Sequence, residues 1–427
     1  MGTGKGEVNR IISEEEIRKI LENYLTKEND FSNKKVLVII PDTTRSGPTA
    51  LFFHSILDIL KKKVKKIDFM IALGTHPEMS DEKIREFLDI KGNEETEIFQ
   101  HQWNNSEALE EIGIINKQQM GEYISTLLNE NIPVRINRKI FQYDEIIISG
   151  PVFPHEVVGF SGGYKYFFPG ICGPEFLHKF HWLGALITNP KINGVIKTPV
   201  RDVINIAASF INKKVHLINY VVNENLIYGV FAGDTDDWEK AAQLSSKINI
   251  KYVDMPFNMV ISVAPPMYDD IWTAGKCMYK LEPVVADGGK LIIFAPHINV
   301  VSYTHGKYLE EVGYHTRDYF LKQWEKFKNY PGCILAHSTH VKGIGTFIDG
   351  IEKPRIEVIL ATGISEEICR KINLGYINPD TLDRENYKNR ENEGILVVEK
   401  AGEVLYKLKN GKVPDIDQLY KKEVKQS

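Results

Sequence analysis

The sequence predicts an α/β protein of two α/β domains, each with a mostly parallel sheet, and an active-site crevice between them. Three observations support this prediction. Apolar runs such as KVLVII at residues 35–40 are hydrophobic on both faces, as strands inside a parallel sheet are. Each run leads into a polar loop and then a helical pattern, the alternation typical of α/β folds. The 427 residues suffice for two to three domains.

In the first half of the chain, strands and helices alternate after an opening amphipathic helix. That helix has isoleucines and leucines at helical spacing, and Ser80 is placed to cap a later helix that begins with two acids. The predicted elements are helix 10–29, strand 35–40, helix 49–65, strand 66–73, a helix from residue 81, strand 145–149 and helix 174–186.

The second half repeats this pattern from about residue 256. Its predicted elements are strand 258–264, a helix carrying Trp272, Lys276 and Lys280, strands 290–294, 332–336 and 355–361, a hairpin over 394–408 and a charged helix from Asp415. We therefore expect one domain over residues 1–255 and a second over 256–427, with the linker between residues 234 and 256.

Composition limits the classes of function. With 43% hydrophobic residues, 26% charged residues and a formal net charge of −4, the chain lacks the basic surface that nucleic-acid or membrane binding needs. Its four cysteines are scattered, without the spacing of a zinc ribbon or a disulfide framework. No leader or membrane span is recognisable, so we expect a cytoplasmic protein with no nucleic-acid or membrane partner.

Polar side chains follow three of the predicted strands in the first half. Asp42 and Arg45 follow the first strand, His76 follows the second, and His155 follows the third. In open α/β sheets, ligands bind at the carboxyl ends of the strands, so these four residues are candidates for a site. Each could also be an ordinary turn, cap or exposed loop residue.

The stretch after His155 is unusually rich in groups that carry chemistry. The run GFSGG at residues 159–163 reads as a loop whose glycines permit positive φ and close approach to a ligand. Lys165 follows among aromatic residues, a setting that favours its neutral, nucleophilic amine. His178 and His181 lie three apart on a predicted helix and point to one side. A glycine turn flanked by structural histidines is the alternative explanation.

These residues together resemble the lactate racemase family, the nickel-pincer-dependent racemases and epimerases of 2-hydroxy acids. The resemblance rests on His155, the FSGG run, Lys165 ten residues after that histidine and His181 sixteen residues further on. The DTTR run that begins at Asp42 and the GTH run that ends at His76 extend the resemblance.

The resemblance implies a nickel ion held by a pyridinium-3-thioamide-5-thiocarboxylic acid mononucleotide. Lys165 matches the lysine to which this nickel-pincer nucleotide is covalently attached, and His181 matches the protein ligand to nickel. Backbone amides at Ser161, Gly162 and Gly163 could meet the phosphate of the nucleotide. Cofactor biosynthesis proteins are then implied partners.

The implied reaction is reversible hydride transfer from C2 of a small-molecule 2-hydroxy acid. His76 and His155 would exchange the hydroxyl proton for the two hands of the substrate, since imidazole accepts or donates a proton near neutral pH. Arg45 and Lys276 would bind the substrate carboxylate, for which the guanidinium fork is well suited. Asp42 would orient Arg45 or a neighbouring histidine.

Two departures from the family pattern bear on the substrate. Trp272 and Thr273 stand where lactate racemases carry Tyr and Gln, and His337 and His340 suggest a polar rim at a strand end. We therefore expect a substrate larger or more polar than lactate, such as a sugar acid, and a gluconate 2-epimerase activity. Lactate racemase proper is the alternative, and His337 and His340 could equally be buried hydrogen-bonding groups.

Two readings from other classes stay open. A metal-dependent hydrolase could use His155, His178 and His181, although no carboxylate stands beside them as a general base. A non-catalytic protein that binds small anions could be built on the same crevice. Metal and mass analysis would separate these classes.

Overall fold

The computed structural model describes residues 2–92 and 95–424. Contacts divide the chain into two compact units. Unit 1 comprises Met1–Pro154, Phe160–Leu177 and Ile196–Asn249, and unit 2 comprises His155–Gly159, His178–Val195 and Ile250–Ser427. Two short segments of the first half of the chain therefore belong to unit 2. The two domains expected from the sequence, 1–255 and 256–427, do not include this crossing of the chain between units.

Strands occur throughout both units. In chain order they are β1 (Thr3–Gly6), β2 (Lys35–Ile40), β3 (Lys66–Ile71), β4 (Ile98–Gln100), β5 (Leu109–Ile115), β6 (Ile132–Asn137), β7 (Glu145–Pro151), β8 (Pro154–His155), β9 (Gly159–Phe160), β10 (Lys214–Asn223), β11 (Leu226–Gly233), β12 (Ile250–Val253), β13 (Phe257–Val263), β14 (Val285–Ala295), β15 (Gly345–Ile348), β16 (Ile351–Pro354), β17 (Glu357–Thr362), β18 (Gly375–Tyr376), β19 (Ile395–Val398) and β20 (Leu405–Leu408).

Helices separate most of these strands. They are α1 (Glu14–Asn23), α2 (Thr49–Leu60), α3 (Asp81–Phe87), α4 (Lys117–Leu128), α5 (Pro174–Ile187), α6 (Asn189–Ile192), α7 (Pro199–Ser209), α8 (Thr235–Ile248), α9 (Ile271–Ala274), α10 (Lys276–Tyr279), α11 (Gly306–Val312), α12 (Arg317–Leu321), α13 (Trp324–Phe327), α14 (Gly332–Lys342), α15 (Glu366–Lys371) and α16 (Ile416–Val424). A π-helical turn, Tyr24–Glu28, continues α1.

Unit 1 is organised around a seven-stranded sheet with the order β1-β11-β10-β7-β2-β3-β4. The strands from β10 to β4 are parallel, and β11 and β1 add an antiparallel edge. In β2 all five residues after Lys35 are buried, which explains its continuous apolar sequence. Burial of each of these Val, Leu or Ile side chains contributes about 1.5–3 kcal/mol. The strands predicted at 35–40, 66–73 and 145–149 are confirmed.

Local capping fixes where the early helices begin. Ser13 and Glu16 form a reciprocal capping box at the start of α1, and the Ser80 hydroxyl accepts from the Lys83 amide at the start of α3. Each such cap is worth about 1 kcal/mol because it satisfies amides that have no partner within the helix. The predicted cap at Ser80 is confirmed.

Unit 2 contains a five-stranded, all-parallel sheet with the order β18-β17-β14-β13-β19. Its core includes Ile261, Ile292 and Ile359, which are almost completely buried. β12 and β20 pair in parallel, and β15 and β16 form an antiparallel pair.

Two predicted elements of the second half are wrong. Residues 332–336 begin helix α14 rather than a strand, because every residue from Cys333 to Lys342 is buried and a helix buried on all sides has the same apolar run as a strand. Residues 394–408 do not form a hairpin, since β19 pairs with β13 and β20 pairs with β12. The region where the linker was expected contains α8 and β12, and the change from unit 1 to unit 2 between Asn249 and Ile250 falls within it.

The predicted fold class, α/β with largely parallel sheets, is confirmed by both main sheets. Among the described residues, no helix combines the length and the apolar character needed to cross a membrane.

Candidate functional site

Unit 1 presents polar side chains at the carboxyl ends of neighbouring parallel strands. β2 and β3 lie side by side in its sheet, with Asp42 and Arg45 just after β2 and His76 just after β3. Because parallel strands end at a common edge, these residues were expected to come close together. The structure brings Asp42 and His76 into direct contact.

The contact between Asp42 and His76 is a short hydrogen bond. His76 Nδ1 lies 2.5 Å from Asp42 Oδ2, and the carboxyl is buried whereas the imidazole side chain is 24% exposed. A carboxylate can only accept, so Nδ1 carries the proton that is donated to it. In the neutral ring, Nε2 then has the free lone pair, the form that accepts a proton from a substrate.

Asp42 is held in its charged form. Its Oδ1 accepts from the Thr44 amide at 3.1 Å and from the Thr44 hydroxyl at 2.7 Å. Burial alone would raise the pKa of Asp42, but the attraction and hydrogen bond of His76, the hydroxyl of Thr44 and the charge of Arg45 outweigh it and hold the pKa well below its usual range. The carboxylate is therefore a permanent anchor for His76.

Tyr166 completes this polar group, and the sequence did not single it out. Burial raises the pKa of its phenol well above the ordinary value, with smaller effects from Tyr220, Arg45 and Asp42. Gly150, in β7, makes the approach possible, since a Cβ there would lie 2.1 Å from the Tyr166 hydroxyl oxygen. The only sequence signal for Tyr166 was its place beside Lys165.

The predicted glycine loop is built around the buried Ser161. The Ser161 hydroxyl donates to the Pro151 carbonyl at 3.0 Å and accepts from the Phe153 amide at 2.8 Å, while the Ser161 amide donates to the Phe153 carbonyl at 2.8 Å. The Gly163 amide donates to Asn219 Oδ1 at 3.2 Å. Both amides are thus used inside the protein, and Ser161 holds the loop in place.

The loop leads directly into the turn that carries Lys165. Gly162 and Gly163 have φ of +81° and +59°, and the 3₁₀ turn Gly163–Tyr166 follows. The Lys165 amide donates to the Gly162 carbonyl at 3.3 Å. Lys165 itself is partly exposed.

In unit 2, His155 is buried and has a defined hydrogen-bonding pattern. The Val157 amide donates to His155 Nδ1 at 3.2 Å, and Glu156 Oε2 lies 3.3 Å from the same nitrogen. An amide donor and a carboxylate therefore face the same ring nitrogen. A proton on Nδ1 would pair with the carboxylate, and a lone pair on Nδ1 would accept from the amide.

Unit 2 also gathers aromatic and imidazole side chains around Trp272. His305 and His337 pack against Trp272 with ring centroids 4.3 Å away in each case, and His337 Nε2 donates to the Trp272 carbonyl at 3.0 Å. His181, a partly exposed residue of α5, packs its edge against Phe180. His178 is also partly exposed on the same helix.

His337 and His340 do not form the expected polar rim at a strand end. They lie on α14 with exposed fractions of 8% and 4%. Burial lowers the pKa of His337 to about 3, with His340, His305 and His181 lowering it further against the opposing effect of the Trp272 carbonyl. Burial likewise lowers the pKa of His340 to about 4. Among the described residues, His337 Nδ1 and His340 Nε2 have no hydrogen-bond partner.

The remaining predicted residues of unit 2 have mainly internal contacts. Lys276 is buried, with Nζ 4.6 Å from the centroid of the Tyr268 ring. The Thr273 amide and hydroxyl donate to Asp270 Oδ1 at 2.9 and 2.8 Å at the start of α9, so Asp270 caps this helix and holds the Thr273 side chain. In the part of the chain that the structure describes, no three His, Cys, Asp or Glu side chains form a group that could hold a metal ion.

Comparison with known proteins assigns the chain to a family. The model of the lactate racemase N-terminal domain matches residues 5–193. The lactate racemase of Thermoanaerobacterium thermosaccharolyticum is 30% identical over 306 residues, a match covering 66% of each chain. That of Lactiplantibacillus plantarum is 27% identical over 308 residues, covering 67% of each chain. The chain thus spans about two thirds of the length of these relatives.

Two solved structures share the fold. A protein from Thermotoga maritima has a TM-score of 0.88 at 34% identity, covering 95% of this chain and all of that chain. The lactate racemase apoprotein from T. thermosaccharolyticum has a TM-score of 0.69 at 21% identity, covering 95% of this chain and 94% of that chain. The second likeness supports the α/β fold alone.

Proposed function

Since this chain belongs to the lactate racemase family, we propose that it is an isomerase that racemises or epimerises a 2-hydroxy acid. The observation that carries this proposal is the pair formed by Asp42 and His76 at the edge of the sheet. It leaves an imidazole lone pair on Nε2, which is the group that must take the proton of a substrate hydroxyl.

The residues present fit the nickel-pincer nucleotide of the family. The partly exposed Lys165 lies on a turn that hydrogen bonds fix in place, which suits covalent attachment of the pyridinium-3-thioamide-5-thiocarboxylic acid mononucleotide. The imidazole of His181 is partly exposed and suits nickel. Among the described residues no three side chains form a metal-binding group, so in this proposal the other donors to nickel lie on the cofactor. When bound, the cofactor supplies the hydride acceptor.

Two histidines divide the proton chemistry. His76 accepts the hydroxyl proton at its Nε2, and His155 would return a proton to the other hand of the substrate from its imidazolium form, with Glu156 Oε2, 3.3 Å from Nδ1, as the neighbouring negative charge. A racemase needs both roles, because each hand of the substrate requires its own acid or base. Arg45 and Lys276 bind the carboxylate of the substrate through their positive charges.

The finer part of the proposal is a substrate longer than lactate, such as a sugar acid, with gluconate 2-epimerase as the favoured activity. The buried Nδ1 of His337 and Nε2 of His340 lack partners among the described residues and could pair with substrate hydroxyls. With its pKa near 3, His337 is a neutral acceptor at pH 7. Trp272, packed on His337, takes the place of a Tyr in the family pattern. Lactate itself is the alternative substrate.

Other parts of the proposal concern the cellular setting. The nucleotide has to be made by separate biosynthesis proteins, which we infer to be transient partners, and the cytoplasm is the compartment we propose. A hydrolase using His155, His178 and His181 has less support, because these residues form no metal-binding group among the described residues.

One experiment tests these proposals together. Protein produced with the cofactor biosynthesis proteins is analysed by mass spectrometry and metal analysis, then incubated with single enantiomers or epimers of lactate and longer 2-hydroxy acids. We expect an adduct on Lys165, about one nickel per chain and interconversion at C2, fastest for a sugar acid. Zinc alone would favour a hydrolase, and an unmodified chain that binds the acids unchanged would favour a binding protein.

A further inference from the structure

The loop before Lys165 is held from one side by two buried residues of other elements. Arg201, from α7, donates to the carbonyls of Phe160 and Gly162, the second at 3.4 Å. Trp238, from α8, donates from Nε1 to the Ser161 carbonyl at 2.9 Å. The Arg201 guanidinium also lies over the Trp238 ring, 4.1 Å from its centroid. Three consecutive loop carbonyls are thereby fixed.

Arg201 is an unusual residue to find buried. It is 4% exposed, and no carboxylate among the described residues forms an ion pair with it. Burial lowers the pKa of its guanidinium to about 9. A buried cation without a counter-ion costs free energy of folding, and the groups that face this one are the Trp238 ring and the loop carbonyls.

On this side the loop also borders open space. A cavity of about 200 Å³ borders Gly163 and Tyr164, and Arg201 and Trp238 line it as well. A loop beside an open cavity gains less from packing than one in a filled core, because its atoms lack partners on that side. The hydrogen bonds from Arg201 and Trp238 therefore supplement, on the cavity side, those that Ser161 makes on the other.

We propose that Arg201, supported by Trp238, is a positioning residue that sets the turn presenting Lys165. The Gly162 carbonyl that accepts from Arg201 also accepts from the Lys165 amide, so the same oxygen anchors the turn and the guanidinium. Loss of Arg201 leaves this carbonyl with the Lys165 amide as its donor, and the positive-φ residues before Lys165 gain conformational freedom. The effect on cofactor attachment rests on the proposed function, whereas the effect on the loop does not.

Hydrogen exchange of the peptide covering residues 159–167 tests the loop directly. Arg201→Met removes the donors at similar volume, and we expect the protected amides of this peptide to exchange ~10-fold faster or more, since hydrogen bonds from charged donors are among the stronger ones. Arg201→Lys keeps one donor and should restore part of the protection. The thermal midpoint of Arg201→Met should stay within a few degrees of wild type, because the lost bonds are offset by removal of a buried charge.

Arg355→Met provides a matched control. Arg355 is also buried and donates to two backbone carbonyls, those of Val285 and Glu282, but it belongs to unit 2. This variant should leave exchange of peptide 159–167 unchanged. If Arg201→Met does not fold, Trp238→Phe removes a single donor and should show the same local effect more weakly.

Adduct occupancy on Lys165 is the second readout. In cells that make the cofactor, we expect Arg201→Met to carry a several-fold smaller adduct fraction than wild type, with Arg201→Lys between them. Unchanged exchange of the loop peptide would overturn the proposal, and so would faster exchange with full adduct occupancy. If wild type itself carries no adduct, the proposed function fails, and exchange alone then decides whether Arg201 holds the turn.

Discussion

Asp42→Asn tests the central pair of the site with little change in shape. The variant removes a charge-assisted hydrogen bond of 2.5 Å between a buried carboxylate and His76 Nδ1. If the Asn oxygen faces Nδ1, the tautomer survives and the loss is that of one charged hydrogen bond, about 1.5–3 kcal/mol or roughly 10–10²-fold in rate. If the Asn amide faces Nδ1, the proton moves to Nε2 and the base is lost, at roughly 10²–10⁴-fold.

Because the Thr44 amide needs an acceptor at the Oδ1 position, the Asn oxygen takes that place and its amide group faces Nδ1 of His76. We therefore expect the turnover number of cofactor-loaded Asp42→Asn to fall by roughly 10²–10⁴-fold. The assay is interconversion of a 2-hydroxy acid followed by chiral chromatography, at equal adduct occupancy. Thr44→Val is the matched control, because it removes the 2.7 Å hydroxyl bond to Asp42 and keeps the carboxylate. Its loss should stay within about tenfold. An Asp42→Asn enzyme with half of the wild-type turnover would refute the assigned role of this pair.

Three further predictions concern the tether, the metal ligand and acid stability. Lys165→Ala should abolish both adduct and turnover, whereas Lys179→Ala should keep most of each, as measured by intact mass and the chiral assay. His181→Ala should lose nickel on metal analysis, while His76→Ala keeps it and loses turnover; the reverse pattern would exchange their roles. Because burial lowers the pKa of His337 from 6.5 to about 3, the unfolded chain binds its proton first, and stability falls as pH drops below 6.5. His337→Asn should flatten this fall in thermal midpoint between pH 6.5 and about 4, and an unchanged slope would argue against a buried neutral imidazole.

The strands that carry the candidate site could be predicted because their sequences follow simple burial rules. β2, β3 and β7 are buried on both faces, so their sequences are mainly apolar, with Asp68 as a charged exception inside β3. The polar loops after these strands mark the edge where Asp42 and His76 meet. The contact between these two residues follows from the adjacency of parallel strands. Which nitrogen of His76 carries the proton could be inferred only from the distance between Nδ1 and the Asp42 carboxylate.

The features that the sequence did not predict depend on contacts between residues that are distant in sequence. The run CILA before His337 suits a strand or a buried helix equally, and only its surroundings decide in favour of α14. Ala401–Gly402 has the composition of a hairpin turn, but β19 and β20 pair with different partners. Arg201 lies far from the glycine loop in sequence and belongs to no motif shared with it, so nothing in the sequence linked Arg201 to Lys165.

The most direct test of the proposed function follows the hydrogen at C2 of the substrate. Cofactor-loaded protein is incubated in ordinary water with one stereoisomer of a 2-hydroxy acid deuterated at C2, over a series from lactate to sugar acids. We predict that the opposite configuration forms and retains the deuterium, since the hydrogen leaves and returns as hydride. Inversion with loss of deuterium to water would instead indicate removal of a proton from C2. No inversion of any acid, by protein with nickel and adduct present, would contradict the proposed activity.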